Sequence, residues 1–211
     1  VLVLSLSCAQ LPRITTQAGA PPLGFGQAAC SLFPQGKWQL FHSIKAEMPA
    51  GGNFMMMGLT VMSSRLRTIR SVIMTLEGFV VFDGEYDRHL TVHRALPPFD
   101  SPHFAEGIME DIRLIFFAPD GPLVACGVLD NGSAVCRHEI PGGSVIDIEP
   151  MADNGWELNR YGPSQRMTRT LRVPPGERHP SGLPERMELI ASGGQTYKLV
   201  MTLLEAVRLE P

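Results

Sequence analysis

The groups in this chain that could do chemistry are six histidines, four cysteines and 21 carboxylates, in 211 residues. His89 and His93 stand four apart in an alternating stretch, which puts both on one face of a strand. A zinc site needs at least three protein ligands. No third ligand lies nearby in sequence, so the pair reads as two histidines on an exposed sheet surface. Asp83, Glu85 and Asp87 form a small acidic turn about Gly84. A calcium loop would need a bidentate Glu at a set distance downstream, and none is in place, so a solvated turn is expected. There is no G-x-S-x-G elbow, no phosphate loop, no dinucleotide glycine fingerprint and no H-E-x-x-H. No catalytic residue, no metal and no cofactor is expected, and the protein does not read as an enzyme.

The cysteines say more. Val1 to Ser7 are apolar or small and run straight into Cys8. This reads as the end of a signal-peptide apolar region, far too short to span a bilayer. Ser7 suits the position before an acylated cysteine, while Leu6 and Ser5 suit theirs less well. Lipidation of Cys8 is the expectation. Ordinary signal-peptide cleavage and a buried N-terminal strand in a fragment are the alternatives. Ala9 after the cysteine suits export to the outer membrane in organisms that sort on that residue. Cys30 stands alone in a Pro/Gly-rich stretch.

Cys126 and Cys136 flank Asp130-Asn131-Gly132, a hairpin turn signal. If the loop has three residues with Gly132 left-handed, the two cysteines face each other and could bridge in an oxidising compartment. If it has two, they point to opposite faces. They also suit a role as two small buried hydrophobes.

The elements that must position these residues are mostly strands. Gly (21) and Pro (18) are plentiful and punctuate short apolar runs. Residues 9–35 keep no apolar period and read as a flexible tether; 36–211 read as one domain. Strands are expected over 38–47, 54–62, 65–74, 79–82 and 89–94, with Asp83-Gly84 as a turn. Ser101-Pro102 starts a helix over 102–114 whose apolar stripe is Phe104, Ile108 and Ile112, with Glu106, Glu110 and Asp111 away from it. Further strands follow over 135–140, 144–148, 166–173, 187–192 and 195–204, the last with Tyr197, Leu199, Met201 and Leu203 on one face. This is a sandwich or barrel pattern interrupted by one helix. Net charge is -3 and the basic residues are scattered, so no nucleic-acid partner is expected.

The order of features then resembles an uncharacterised family of bacterial lipoproteins, a domain of unknown function (DUF3261). The resemblance runs over about residues 35 to 205. It rests on Val81 to Asp87, with its "yDG" turn, and on Met109-x-Asp111-Ile112-Arg113-Leu114-x-x-Phe117-x-Pro119. The second motif departs from the usual L-x-D-x-Q-L-x-x-W-P, with Arg113 for Gln and Phe117 for Trp. That family is similar to the LolA/LolB lipoprotein carriers. The resemblance implies a mainly β fold, a curved antiparallel half-barrel with helix 102–114 across its mouth. It also implies an acyl chain held inside it.

Met55, Met56 and Met57 are consecutive in a strand, so both faces there are apolar. Methionine suits surfaces that accept varied apolar shapes; plain core packing under the helix explains the run equally well. If a cavity exists, its expected lining is Phe54, Met56, Met62, Met74, Phe104, Ile108, Ile112 and Leu199, with the helix as lid. Two functions follow. One is a lipid or lipoprotein carrier on the periplasmic face of the outer membrane, anchored through acylated Cys8, with a lipid or the acyl chain of a lipoprotein as partner. The other is a structural lipoprotein with a filled core that docks on an envelope protein. An apolar void of several hundred Å³ favours the first; interior packing at native density favours the second.

Overall fold

The computed structural model describes residues 10–15, 32–48, 52–176, 178–193 and 196–209. Cys8 and Cys30 lie outside the described residues. The first five strands described form a meander: β1 (Lys37–Glu47), β2 (Asn53–Ser63), β3 (Thr68–Thr75), β4 (Val80–Asp87) and β5 (His89–Ala95). Helix α1 (Pro102–Phe116) follows. A second meander then comprises β6 (Leu123–Val128), β7 (Ala134–Ile140), β8 (Ser144–Pro150), β9 (Trp156–Tyr161), β10 (Met167–Val173), β11 (Arg186–Ala191) and β12 (Tyr197–Arg208).

The twelve strands form one antiparallel sheet in the order β5-β4-β3-β2-β1-β12-β11-β10-β9-β8-β7-β6. The first meander walks out from β1 to one edge; the second walks in from the other edge and closes on β1 through β12. β5 and β6 are the outermost strands, with Thr15 adding one bridge to Val128 beyond β6, so the sheet is open, and α1 bridges from one to the other in sequence. Within one turn of α1, Met109 reaches β4 beside Gly84 while Glu110 pairs with Arg160 on β9. On a flat sheet those strands would lie about 34 Å apart at ~4.8 Å per strand, so the sheet must curl around the helix.

Side chains alternate between an inward face under α1 and an outward one. One row across the inward face runs Leu158, Leu171, Leu189, Leu199, Ala46 and Phe54. Strict alternation along β1 buries Trp38, Leu40, His42, Ile44 and Ala46 on this face. Asp147 and Arg137 stand on the outward face as a two-bond ion pair with both distances at 2.7 Å. Within the segment read as a tether, residues 10–15 cross this outward face. Leu11 N–H donates to Gln165 O, Thr15 pairs with Val128, and Arg137 donates to Pro12 O. Phe33 packs on Trp156 at the inward face.

Three expectations are corrected. Asp83-Gly84 is not a turn but a bulge inside β4; the turn comes at Arg88, at φ 66°. Gly84 is needed there because a Cβ would stand 2.5 Å from the Phe82 ring and 3.3 Å from Met109 Cε. Residues 65–67 form the β2–β3 turn, not strand. Strand β9 was not foreseen, since its Glu157, Asn159 and Arg160 dilute the apolar signal.

Cys126 and Cys136 are directly paired and disulfide-bonded. The loop has three residues with Gly132 at φ 87°, which is the register that puts the cysteines opposite.

Gly84→Val should lower unfolding stability by about 1–3 kcal/mol, the range for overpacking a core. A urea titration checks it, with Gly107→Val, where a Cβ meets nothing within 4 Å, as the control for a valine without the clash at Gly84.

Candidate functional site

The candidate site is the inward face of the sheet beneath α1. The helix buries Ala105, Met109, Ile112 and Phe116, spaced i, i+4, i+7 and i+11. Leu114 and Ile115 join them in the core. This stripe is rotated from the expected one, so Phe104 and Ile108 lie on its flank, half-buried. Phe104 packs edge-on against Phe99.

Asp111 is the second correction to the helix reading. It does not sit away from the core but is buried, with its carboxylate aimed at the sheet. Arg169 Nε on β10 donates to Asp111 Oδ1 at 2.6 Å, and the Tyr197 hydroxyl on β12 donates to Oδ2. Arg169 also lies over the Tyr197 ring. These three side chains are a polar latch between helix and sheet. Burial pushes the Asp111 carboxyl above the ordinary carboxylate range, against the pull of the Arg169 charge and the Tyr197 hydroxyl. Burial and the Asp111 charge push the Tyr197 phenol up.

The rest of the motif secures the C-terminal end of α1. Arg113 stacks on the Tyr86 ring at 4.0 Å and pairs with Asp120. Arg67 stacks on Phe117, pairs with Asp120 and donates to Ala118 O. The two sequence segments that carried the family resemblance, Val81 to Asp87 and Met109 to Pro119, therefore touch each other.

Of the expected lining, Phe54, Met56, Met62 and Leu199 share the inward face. Met62 is fully buried, Met56 and Leu199 are half-buried, and Phe54 is exposed. Ile112 is buried in the core. Met74 is not brought to them: it pairs with Met57, which places it on the outward face. Among the described residues, a void of about 10 Å³ lies at the C-terminal end of α1, between Leu40, His42, Phe116, Trp156 and Leu203. That is room for about one water.

Sequence reasoning missed His42 and Trp156. His42 is buried at the inward face, against the Phe116 ring. Burial, with a smaller effect of the nearby His179, pushes its pKa down to about 4. Trp156 is buried and its indole N–H finds no acceptor among the described residues. The regular alternation of β1 marks His42 as inward-facing, but nothing marks the Trp156 N–H as unpaired. His89 and His93 are exposed, and His93 lies 3.4 Å from Glu85. Asp83 pairs with Arg70. Among the described residues no three His, Cys, Asp or Glu side chains group as metal ligands.

No family profile and no curated protein matches the chain. In fold it is similar to a LolA superfamily protein from Nitrosomonas europaea, with a TM-score of 0.57 and 12% identity, covering 88% of this chain and 94% of that one. It is also similar to a domain assigned to outer membrane lipoprotein sorting from Vibrio parahaemolyticus, with a TM-score of 0.51 and 8% identity, covering 89% of this chain and 92% of that one. The fold is therefore the LolA-like open half-barrel with a helix on its inward face. Membership of the uncharacterised lipoprotein family finds no support in these comparisons.

Two pH-dependent outcomes follow. Arg169→Met takes the counter-charge from a buried carboxylate, leaving it only the Tyr197 hydroxyl, and should cost about 3 kcal/mol at pH 7. Because the native Asp111 pKa lies above its unfolded value, that loss should shrink as pH falls through the native pKa. For His42 the native pKa is lowered, so its contribution is complete above about pH 6.5 and is lost as pH falls toward 4, by roughly 3 kcal/mol. His42→Leu should flatten that part of the stability profile, measured by urea titration across pH 4 to 7.

Proposed function

We infer that the protein binds an acyl chain on the inward face of its half-barrel, with α1 as the displaceable cover. It would work as a periplasmic lipid or lipoprotein carrier, held on the outer membrane by acylated Cys8. The observation that carries this reading is helix α1, lying on a wide apolar sheet face and latched through Asp111, Arg169 and Tyr197. The fold likeness to proteins of the LolA superfamily supports it.

Energetics permit the exchange. Lifting α1 strips Met109, Ile112, Leu114, Ile115 and Phe116 from the core. At roughly 2 kcal/mol per side chain this costs about 10 kcal/mol, and about 13 methylenes at ~0.8 kcal/mol each restore about as much. A long acyl chain can therefore replace the helix at little net cost, whereas a short one cannot.

A second reading has its own observations. The interior void is water-sized, which by itself favours a filled core. Met57, Leu59, Val72 and Met74 lie half-buried together on the outward face, an apolar surface suited to an envelope protein partner.

Native mass spectrometry on protein expressed in the periplasm and purified without detergent tests the two. The carrier reading predicts extra mass that organic solvent removes and that identifies as phospholipid or fatty acid. Protein that stays bare after incubation with lipids and acylated peptides contradicts it and leaves the interaction reading. If α1 is the cover, Arg169→Met should bind a long-chain fatty acid up to about 100-fold more tightly, since about 3 kcal/mol of latch is removed from the closed state only. Titration of a fluorescent fatty acid measures this.

A further inference from the structure

The void at the C-terminal end of α1 is closed on one side by Leu183 and Pro184. Directly outside, a cleft of about 270 Å³ is lined by Arg178, Arg186, Glu185, Thr202 and the 173–175 segment. Pro184 borders both spaces. An apolar interior and a polar, basic exterior thus meet at one residue.

The piece between them is a small closed unit. Residues 178 and 184 pair, His179 N–H donates to Leu183 O, and Gly182 N–H donates to His179 O. Its entry passes through Pro174, Pro175 and Gly176, where Gly176 sits at φ 140° with nothing near it. A unit that satisfies its own backbone can swing without breaking a strand. Behind it waits the buried Trp156 indole N–H, which has no acceptor among the described residues. A buried donor without a partner costs free energy that a ligand acceptor or an ordered water would recover.

The charges outside suit an anion. Arg178 spends one donor on Asn154 O and Arg186 one on Glu188, and each guanidinium carries five N–H groups. Glu185 is the carboxylate on the lining, and Glu188 behind Arg186 is shared with Lys198, so three cations face two carboxylates.

We propose that the 178–184 unit is a hatch for a phosphate-bearing lipid. The acyl chain would pass behind Leu183 and Pro184 into the interior, and the phosphate would rest between Arg178 and Arg186. The Trp156 N–H donates to an ester carbonyl near the chain's head. This rests on the acyl-binding reading above and adds the headgroup class and the entry route.

The test compares a phosphatidic acid with the diacylglycerol of the same chains, by native mass spectrometry and calorimetric titration of the protein. The phosphatidic acid should bind at least tenfold more tightly. Arg178→Gln with Arg186→Gln should abolish that preference and leave diacylglycerol binding unchanged. Both side chains are exposed, so the fold should survive; the Lys pair at the same positions should keep part of the preference. Equal affinity for the two lipids, or a preference that survives the Gln pair, overturns the hatch and leaves the acyl-binding reading standing. Inorganic phosphate binding as tightly as the phosphatidic acid also overturns it, since the cleft would then be a free-anion site. Failure of both lipids to bind sinks the acyl-binding reading and this inference with it.

Discussion

A single sheet with one apolar face must find a cover, and among the described residues no second sheet supplies it. Everything else in the structure answers that constraint. The sheet curls, so that twelve strands present their inward side chains to one short helix. Helix α1 fills the middle with Met109, Ile112, Ile115 and Phe116. The open end beyond Phe116 is stopped by Phe33 against Trp156 and by Leu183 and Pro184. The cover is built from pieces joined to the sheet by loops. Packing at native density and the capacity to part are therefore compatible in this architecture.

The polar groups mark where the cover is held. A carboxylate at the core side of a helix costs free energy unless it is paired, and Asp111 is paired twice, to Arg169 and Tyr197 from two different strands. Such a latch fixes the helix in register more than it stabilises the fold. Arg113 on Tyr86 and Arg67 on Phe117 fix the helix end in the same way, with cations stacked on rings. On the outward face the Arg137–Asp147 pair beneath Pro12 ties the N-terminal segment down.

Much of this was legible in the sequence, for stated reasons. β1 and β12 alternate, so their existence and inward faces are readable from sequence, whereas β2 is apolar on both faces and only its existence is. The Cys126–Cys136 register was one of two that the turn allowed, and Gly132 in a three-residue loop selects it. The helix was found but its face was misjudged: Phe104 and Ile108 are large and apolar, while the buried stripe runs through Ala105, Met109 and a charged Asp111. A carboxylate buried by its partners has no signature in hydrophobic periodicity. Gly84 misled because a glycine after Asp usually means a turn, and here it marks the close approach of Phe82 and Met109. Met74 was placed on the wrong face because the β2–β3 register pairs it with Met57, which alternation within one strand does not reveal.

The central claim is that α1 lifts from the sheet as a unit when an acyl chain takes its place. Hydrogen exchange resolved to segments, with and without a long-chain fatty acid, tests it most directly. The account predicts that the amides of 102–116 exchange faster in the lipid-bound protein while β1 and β12 stay protected. Unchanged protection of α1, equal to that of β1, under conditions where the fatty acid is bound would contradict it.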